Sequence, residues 1–484
     1  MRILFTHSYF MQFDPKQVAH AQAYPPLGTI WGAAVLRESG NDVMLFDTMF
    51  ANSPEEILPV LYSYWPDVLV IYDDGFNYLT KMCLSNMREA AFKMQHFAKS
   101  LGCKVIVTSS DSADHFEKYL KNKADFVIIG EAEYTLLELI NSLNTNDSNY
   151  ENIAGIAYFQ EDKLIITPRR AIKKQLDELP LPAWDLINFK NYKKIWKEKH
   201  GYFSINIATT RGCPYKCNWC AKPLYGNAYN MRSPENVVHE IKLLKQLIGF
   251  EHIWFCDDIF GLKRSWVVEF AELVRAEKLQ FRYKIQSRAD LLVQEKYVES
   301  LSVSGCDEVW LGAESGSQKI LDAMEKGTTI EQIRTARNLL SQYGIKASYF
   351  LQYGYIGENM EDIQKTIKLV KDTMPDDIGI SVSYPLPGTS FYEKVKQDLI
   401  FKSNWTDSDE LAMMFRNTYP PTFYKILHRL THSIYRKAKA FNILSHSNTF
   451  KIKFKAFFSY LKYSIIGAIQ SLQLKQNMTQ DGFK

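Results

Sequence analysis

Two stretches of the chain alternate short apolar runs with helical patterns, and this alternation constrains the fold more than any other feature. In the first, residues 1–145, the runs RILF, DVMLFD, DVLVIY, CKVIV and DFVIIG are each flanked by turn residues. Between them lie patterns such as LGTIWGAAVLRESG and LTKMCLSNMREAAFKMQHFAKSLG. Strands alternating with helices predict an α/β domain, a doubly wound, Rossmann-like parallel sheet covered on both faces. Ligands of such sheets sit at the carboxyl ends of the strands. In the second stretch, residues 196–400, the runs SINIATT, HIWFCDD, FRYKIQS, EVWLGAES, KASYFLQYGYIG and GISVSYPLPG predict six more strands. Each leads into a polar or glycine-bearing loop. This reads as a partial barrel with all six loops on one face, where barrel active sites form.

The two stretches are joined by residues 146–195. There NIAGIAYFQEDKLIITP predicts a hairpin turning at Glu161-Asp162, and LDELPLPAWDLI follows as a proline-bearing linker. Residues 401–484 read as a helical, basic region. A length of 484 residues fits two or three domains. The net charge of +4 is small for that length and gives no reason to expect a nucleic acid partner. MRILFTHSYFMQ reads as a first strand and not as a secretion signal, and no run approaches the roughly 18 apolar residues of a membrane span. Cys83, Cys103, Cys256 and Cys306 are scattered singly in apolar surroundings, the usage of a reducing compartment. A cytoplasmic protein is expected.

The remaining three cysteines, Cys213, Cys217 and Cys220, fall in RGCPYKCNWC with C-x3-C-x2-C spacing, just after the first strand of the second stretch. A structural zinc site needs a fourth ligand close by. Cys256 lies 36 residues beyond Cys220 inside a strand run, and His239 sits within a helical pattern. A four-iron, four-sulfur cluster normally takes four thiolates. Held by three, it leaves one iron open to another ligand.

With Trp219 at its aromatic position, RGCPYKCNWC resembles the cluster loop of the radical S-adenosylmethionine (SAM) superfamily. The resemblance implies that Cys213, Cys217 and Cys220 hold three irons and that SAM chelates the fourth. Cleavage of SAM then yields a 5′-deoxyadenosyl radical. Later loops are similar to the family's SAM-facing turns and occur in the expected order. FCDDIFG offers Asp257 and Asp258, SRADLL offers Arg288, and LGAESGSQKIL offers Glu314 and Ser315. GYIGENMEDIQKTI and YPLPGTSFYEKV resemble the family's turns after strands five and six. Ordinary roles stay open beside these: a helix cap for either aspartate, a surface position for the arginine, turn chemistry for the loops after strands five and six.

The first stretch is similar to the N-terminal domain of the cobalamin-binding subgroup of this superfamily, through YPPLGTIWGAAVLRESGNDVMLFD and DFVIIGEAEYTLLELI. The resemblance implies cobalamin over the carboxyl edge of the sheet, near Thr108, Ser109, Ser110 and Glu131. The chain departs from the cobalamin pattern in three loops. THSYFMQFDP lacks the D-x-H-x-x-G motif, YDDGFNYLTK replaces a serine-leucine signal, and TSSDSADHF replaces a glycine pair. Without the histidine motif, cobalt is expected to lack a protein nitrogen ligand, and His115 reads as a helix-start residue. An empty or repurposed flavodoxin-like domain is the alternative.

The implied function is cobalamin-dependent radical methylation of an unactivated carbon in a biosynthetic intermediate. A radical cyclase or oxidoreductase is the second enzyme reading, and a non-catalytic iron–sulfur electron carrier is the reading from another class. No further catalytic residue is assigned. Expected partners are a small-molecule or lipid-like substrate and an electron donor such as flavodoxin or ferredoxin. From Pro421 to Lys484 there are eleven Lys or Arg against one acid, Asp481. Phe454, Phe458, Leu461, Ile465, Ile469 and Leu472 recur at helical spacing beside Lys451, Lys453, Lys455 and Lys462. Such a stripe either packs on the barrel with its lysines in water or lies on an anionic membrane surface.

Overall fold

The computed structural model describes residues 1–76, 84–145, 148–222, 224–447 and 449–478. Cys83, the later part of YDDGFNYLTK, the start of the helix expected from Leu79, and Asp481 lie outside the described residues. The described chain forms two compact units. One comprises Met1–Pro214, Lys222–Tyr283 and Asn404–Glu410; the other comprises Tyr215–Ala221, Lys284–Ser403 and Leu411–Lys484.

The first sheet contains β1 (Arg2–Thr6), β2 (Asp42–Phe46), β3 (Val68–Tyr72), β4 (Lys104–Thr108), β5 (Phe126–Ile128), β6 (Ile156–Gln160) and β7 (Lys163–Ile166). Its order is β2-β1-β3-β4-β5-β6-β7, with parallel pairing from β2 to β5. The apolar runs are continuous because both faces are covered. On one face Val68, Val70 and Tyr72 pack with Ile3, Phe5, Ala33, Leu136 and Ile140. On the other Leu69 and Ile71 pack with Leu4, Ala90, Met94 and Val107. The expected hairpin is β6–β7. It extends the sheet antiparallel, so the sheet runs on to residue 166. Glu161 and Asp162 both take positive φ, 48° and 62°, the backbone a two-residue turn requires when its twist matches the strands.

Six strands of the second stretch form a half-barrel sheet, as expected: β8 (Ser204–Ile207), β11 (His252–Phe255), β12 (Arg282–Ser287), β13 (Cys306–Glu314), β14 (Lys346–Tyr353) and β15 (Ile378–Val382). They stand in chain order, β8-β11-β12-β13-β14-β15. Two short strands, β9 (Thr210–Arg211) and β10 (Asn230–Met231), pair antiparallel and bracket the cysteine loop. Residues 401–420 contain no helix, and the helical region begins only at Pro421. It consists of two long helices, Pro421–His446 and Phe450–Asn477, packed against each other. Among the described residues no helix is long and apolar enough to cross a membrane.

Candidate cluster and cofactor site

In the first unit, the chain enters the cysteine loop under tight control. The Asp257 carboxylate, after β11, accepts the backbone N–H groups of Thr209 and Thr210 at 2.7 Å each and both threonine hydroxyls. Burial pushes its pKa up to about 6 against the lowering effect of those donors. Asp257 therefore anchors the strand end that leads to the cysteines, while the neighbouring Asp258 is exposed. Gly212 takes φ 80°, and a side chain there would collide with the Ala228 carbonyl. Glycine before Cys213 is thus a backbone requirement. Cys213 is buried, and Lys222 Nζ donates to its carbonyl at 3.0 Å.

The Arg211 guanidinium is fully enclosed between the rings of Trp31 and Tyr225 and bonds to Glu131 and Glu133. Glu131 Oε2 also accepts the Lys173 backbone N–H. Burial first and Glu133 second raise the pKa of Glu131, and Arg211 offsets them. At the carboxyl edge of the first sheet, Thr108 ends β4 and Ser109 caps the turn that follows, its hydroxyl accepting from Ser112 N at 2.7 Å. Thr108, Ser109 and Ser110 are all buried there. The aspartates of YDDG hold loops: Asp73 accepts Ser8 N and Oγ, and Asp74 accepts the N–H groups of Leu27, Gly28 and Phe76. Both ring nitrogens of His7 are engaged, Nε2 with Asp47 at 2.9 Å and Nδ1 with the Thr48 hydroxyl. His115 is half-buried, and its desolvation lowers its pKa.

In the second unit, Cys217 and Cys220 bracket one turn, with Cys220 N donating to Cys217 O at 3.2 Å. Asn218 between them fixes the turn through Ala323 O, Glu325 and the Tyr355 hydroxyl. The Arg288 guanidinium lies 3.9 Å from Cys217 Sγ, stacks 3.5 Å over the Tyr215 ring and donates to Lys326 O. The Lys326 ammonium stands over Trp219 and pairs with Glu314 at 2.8 Å. Burial opposes its charge, but Glu314 and Cys217 outweigh burial and raise its pKa above that of an ordinary lysine. The indole N–H of Trp219 is buried and has no protein acceptor.

Glu314 ends β13 with φ 57° at an irregularity of the strand, which turns its carboxylate toward Lys326. Gly312 leaves the room this pair occupies; an added Cβ would lie 2.7 Å from Lys326 Nζ. At Gly316 a Cβ would strike the backbone of Lys365 and Thr366. The Ser315 hydroxyl is spent on Thr366 at 3.1 Å, holding the helix Met360–Thr373. After β14, the Glu358 carboxyl takes the Gly354 N–H, its second oxygen is buried without a partner, and burial pushes its pKa up to about 8.

The second unit therefore brings together Cys217, Trp219, Arg288 and Glu314 among the expected residues. Sequence reasoning missed Lys326, which lies in the unremarkable run MEKGTT. Among the described residues no group of three or more His, Cys, Asp or Glu side chains forms a ready metal-binding array. The three thiols, all free of disulfides, suit a cluster through their donor chemistry and the two cations beside Cys217.

Residues 207–370 match the family model of the radical SAM superfamily. An uncharacterized methyltransferase of Pyrococcus horikoshii is 26% identical over 424 residues, covering 86% of this chain and 88% of the relative. The anaerobic magnesium-protoporphyrin IX monomethyl ester cyclase of Rubrivivax gelatinosus is 26% identical over 407 residues, covering 82% and 70%. Among solved structures, the cobalamin-dependent S-adenosylmethionine radical enzyme OxsB with aqua-cobalamin bound gives a TM-score of 0.74 at 15% identity, over 97% of this chain and 72% of that one. The radical S-adenosylmethionine methyltransferase TsrM from Kitasatospora setae, with cobalamin and a 4Fe-4S cluster bound, gives 0.66 at 16% identity, over 82% and 74%. Residues 207–370 form a radical SAM domain, and the fold is that of cobalamin-dependent radical SAM enzymes.

Proposed function

We propose that this protein is a cobalamin-dependent radical SAM enzyme that methylates an unactivated carbon of a small-molecule or lipid-like substrate. The observation that carries the reading is the pair of buried cations, Arg288 and Lys326, gathered around Cys217 and Trp219 in the loop order of a radical SAM domain. Cys213, Cys217 and Cys220 would hold the cluster, and Thr108, Ser109 and Ser110 would face the corrin. When bound, cluster and SAM supply a hydrogen-abstracting 5′-deoxyadenosyl radical, and cobalamin carries the methyl group.

The protein's own part is placement and charge. Arg288 and Lys326 offset the negative charge of a thiolate-held cluster and offer donors to a carboxylate. Glu314 keeps Lys326 charged and fixed. Asp257 and Gly212 set the path of the loop. Glu131, already engaged by Arg211 and Lys173, would act by holding its loop and not as a free ligand. His7 is saturated by Asp47 and Thr48, which supports a cobalt without a protein nitrogen. An external one-electron donor such as flavodoxin or ferredoxin is required by the reaction.

Radical cyclisation without methyl transfer is the second reading, favoured by the similarity to the cyclase of Rubrivivax gelatinosus. Protein reconstituted anaerobically with hydroxocobalamin should retain a corrin spectrum through gel filtration, base-off in form. It should also transfer label from methyl-labelled SAM to cobalamin. Retention of corrin without methyl uptake would favour cyclisation; loss of corrin would remove the cobalamin reading.

A further inference from the structure

Among the described residues, the stripe expected on the C-terminal segment is left largely exposed. In the last helix, Phe450–Asn477, only Ala456 and Leu474 are buried. Phe454 and Phe458 are each 55% exposed, and Ile465 and Leu472 each 63%. With Phe450, Phe457, Leu461 and Ile469, also exposed, they occupy about a third of the helix circumference. Ala456 and Leu474, which are buried, lie on the opposite side of the helix. The hairpin is anchored by the preceding helix, whose Phe423, Tyr424, Leu427 and Leu430 are buried and whose Thr431 and Tyr435 hydroxyls bond to Tyr353 and Pro375 O. One helix thus serves as a mount, and the other presents an apolar face to solvent.

The charges around that face select its occupant. From Pro421 to Asn477 there are ten Lys or Arg and no Asp or Glu. Lys451, Lys455 and Lys462 line one margin of the stripe and Lys453 the other, following the 3.6-residue turn. On the side away from the stripe, a cleft of about 370 Å³ between the two helices is walled by Ala440, Ile443 and Ala456 and rimmed by Arg436, Lys439 and Lys455. A second copy of this chain would bring the same flanking lysines, Lys451, Lys453, Lys455 and Lys462, against the face, so self-association opposes itself electrostatically. An anionic bilayer supplies both needs, acyl chains for the phenylalanines and phosphates for the lysines. Since no described helix can span a membrane, the contact lies in the interfacial plane.

We propose that the Phe450–Asn477 helix is a membrane-docking surface for anionic lipid. This surface stands apart from the chemistry proposed above and needs none of its cofactors. The test is flotation of the full-length protein with phosphatidylcholine vesicles, with and without phosphatidylglycerol. The wild type should float with the anionic vesicles alone and release as salt rises. Replacing Phe454, Phe458 and Leu461 together by Ser removes side chains that are already exposed, so thermal unfolding should be unchanged. Binding should weaken roughly tenfold or more, because the buried apolar area drives insertion. The pair Lys453→Glu and Lys462→Glu should weaken it by a similar factor, about tenfold, through the surface potential. A wild type that ignores anionic vesicles overturns the proposal, as does unchanged binding by both variants. It is equally overturned if the wild type is a dimer in gel filtration that the serine variant makes monomeric, since the face is then a self-interface.

Discussion

The Glu314 carboxylate and the Lys326 ammonium stand 2.8 Å apart, both buried, at the end of β13. Each justifies the other's charge. Without Lys326, Glu314 would be an uncompensated ion at a positive-φ corner beside Gly312. Lys326→Met should therefore cost about 3–5 kcal/mol of stability, the usual penalty for orphaning a buried ion. The double variant Glu314→Gln with Lys326→Met should lose less than the single one, because no charge is left behind. Urea unfolding of the three proteins checks this. A double variant less stable than Lys326→Met would contradict it.

Gly212→Ala tests the backbone before the cysteines. A φ of 80° is strained for alanine, and its methyl would meet the Ala228 carbonyl. The expected cost is about 1–3 kcal/mol, with reduced iron retention after reconstitution. Alanine at Gly201, which also has positive φ but nothing near its Cβ, should cost less and leave iron content alone. Equal iron loss in both would detach the effect from the loop.

Anaerobically reconstituted protein should carry about four irons per chain, as one cubane cluster does. Alanine at Cys213, Cys217 or Cys220 should abolish the visible cluster absorption. Cys256, whose thiol is buried and donates to Ile207 O, and Cys306, also buried, should be dispensable for iron. Loss of the cluster in Cys256→Ala would make it a fourth ligand and close the open iron.

Glu358 predicts a pH dependence of stability. Burial raises its pKa from 4.5 to about 8. The native state then holds the proton more tightly than the unfolded chain does. The group's stabilisation is fully present below pH 4.5 and is lost as pH rises through about 8, by up to about 1.4 kcal/mol per unit. Glu358→Gln mimics the protonated acid and should flatten that slope while costing little at low pH. Parallel slopes for wild type and variant, read from urea midpoints across the window, would refute the assignment.

The alternation of strand and helix was legible because inner strands of the first sheet such as VLVIY are buried on both sides and leave continuous apolar runs, while barrel strands such as RYKIQS alternate buried and partly exposed residues. The cysteine loop was legible because cluster chemistry fixes residue types and spacing. What the carboxylates do was not. Asp257 reads in the sequence as a ligand contact, but it spends its oxygens on Thr209 and Thr210. Glu131 is likewise drawn to Arg211, a partner 80 residues away that no local pattern announces. Lys326 meets Glu314 where β13 shifts register between Gly312 and Glu314, a tertiary event with no sequence signature. The outward orientation of the Phe454 stripe also depended on what packs beside it, which spacing alone leaves open.

The central claim is that Cys213, Cys217 and Cys220 serve SAM cleavage, and one measurement addresses it directly. Reconstituted protein is incubated anaerobically with SAM and dithionite, and 5′-deoxyadenosine is quantified by chromatography. The wild type should form it in a cluster-dependent manner and Cys217→Ala should form none. No 5′-deoxyadenosine from fully iron-loaded wild type, under any low-potential reductant, would contradict the account and leave an electron-carrying cluster in its place.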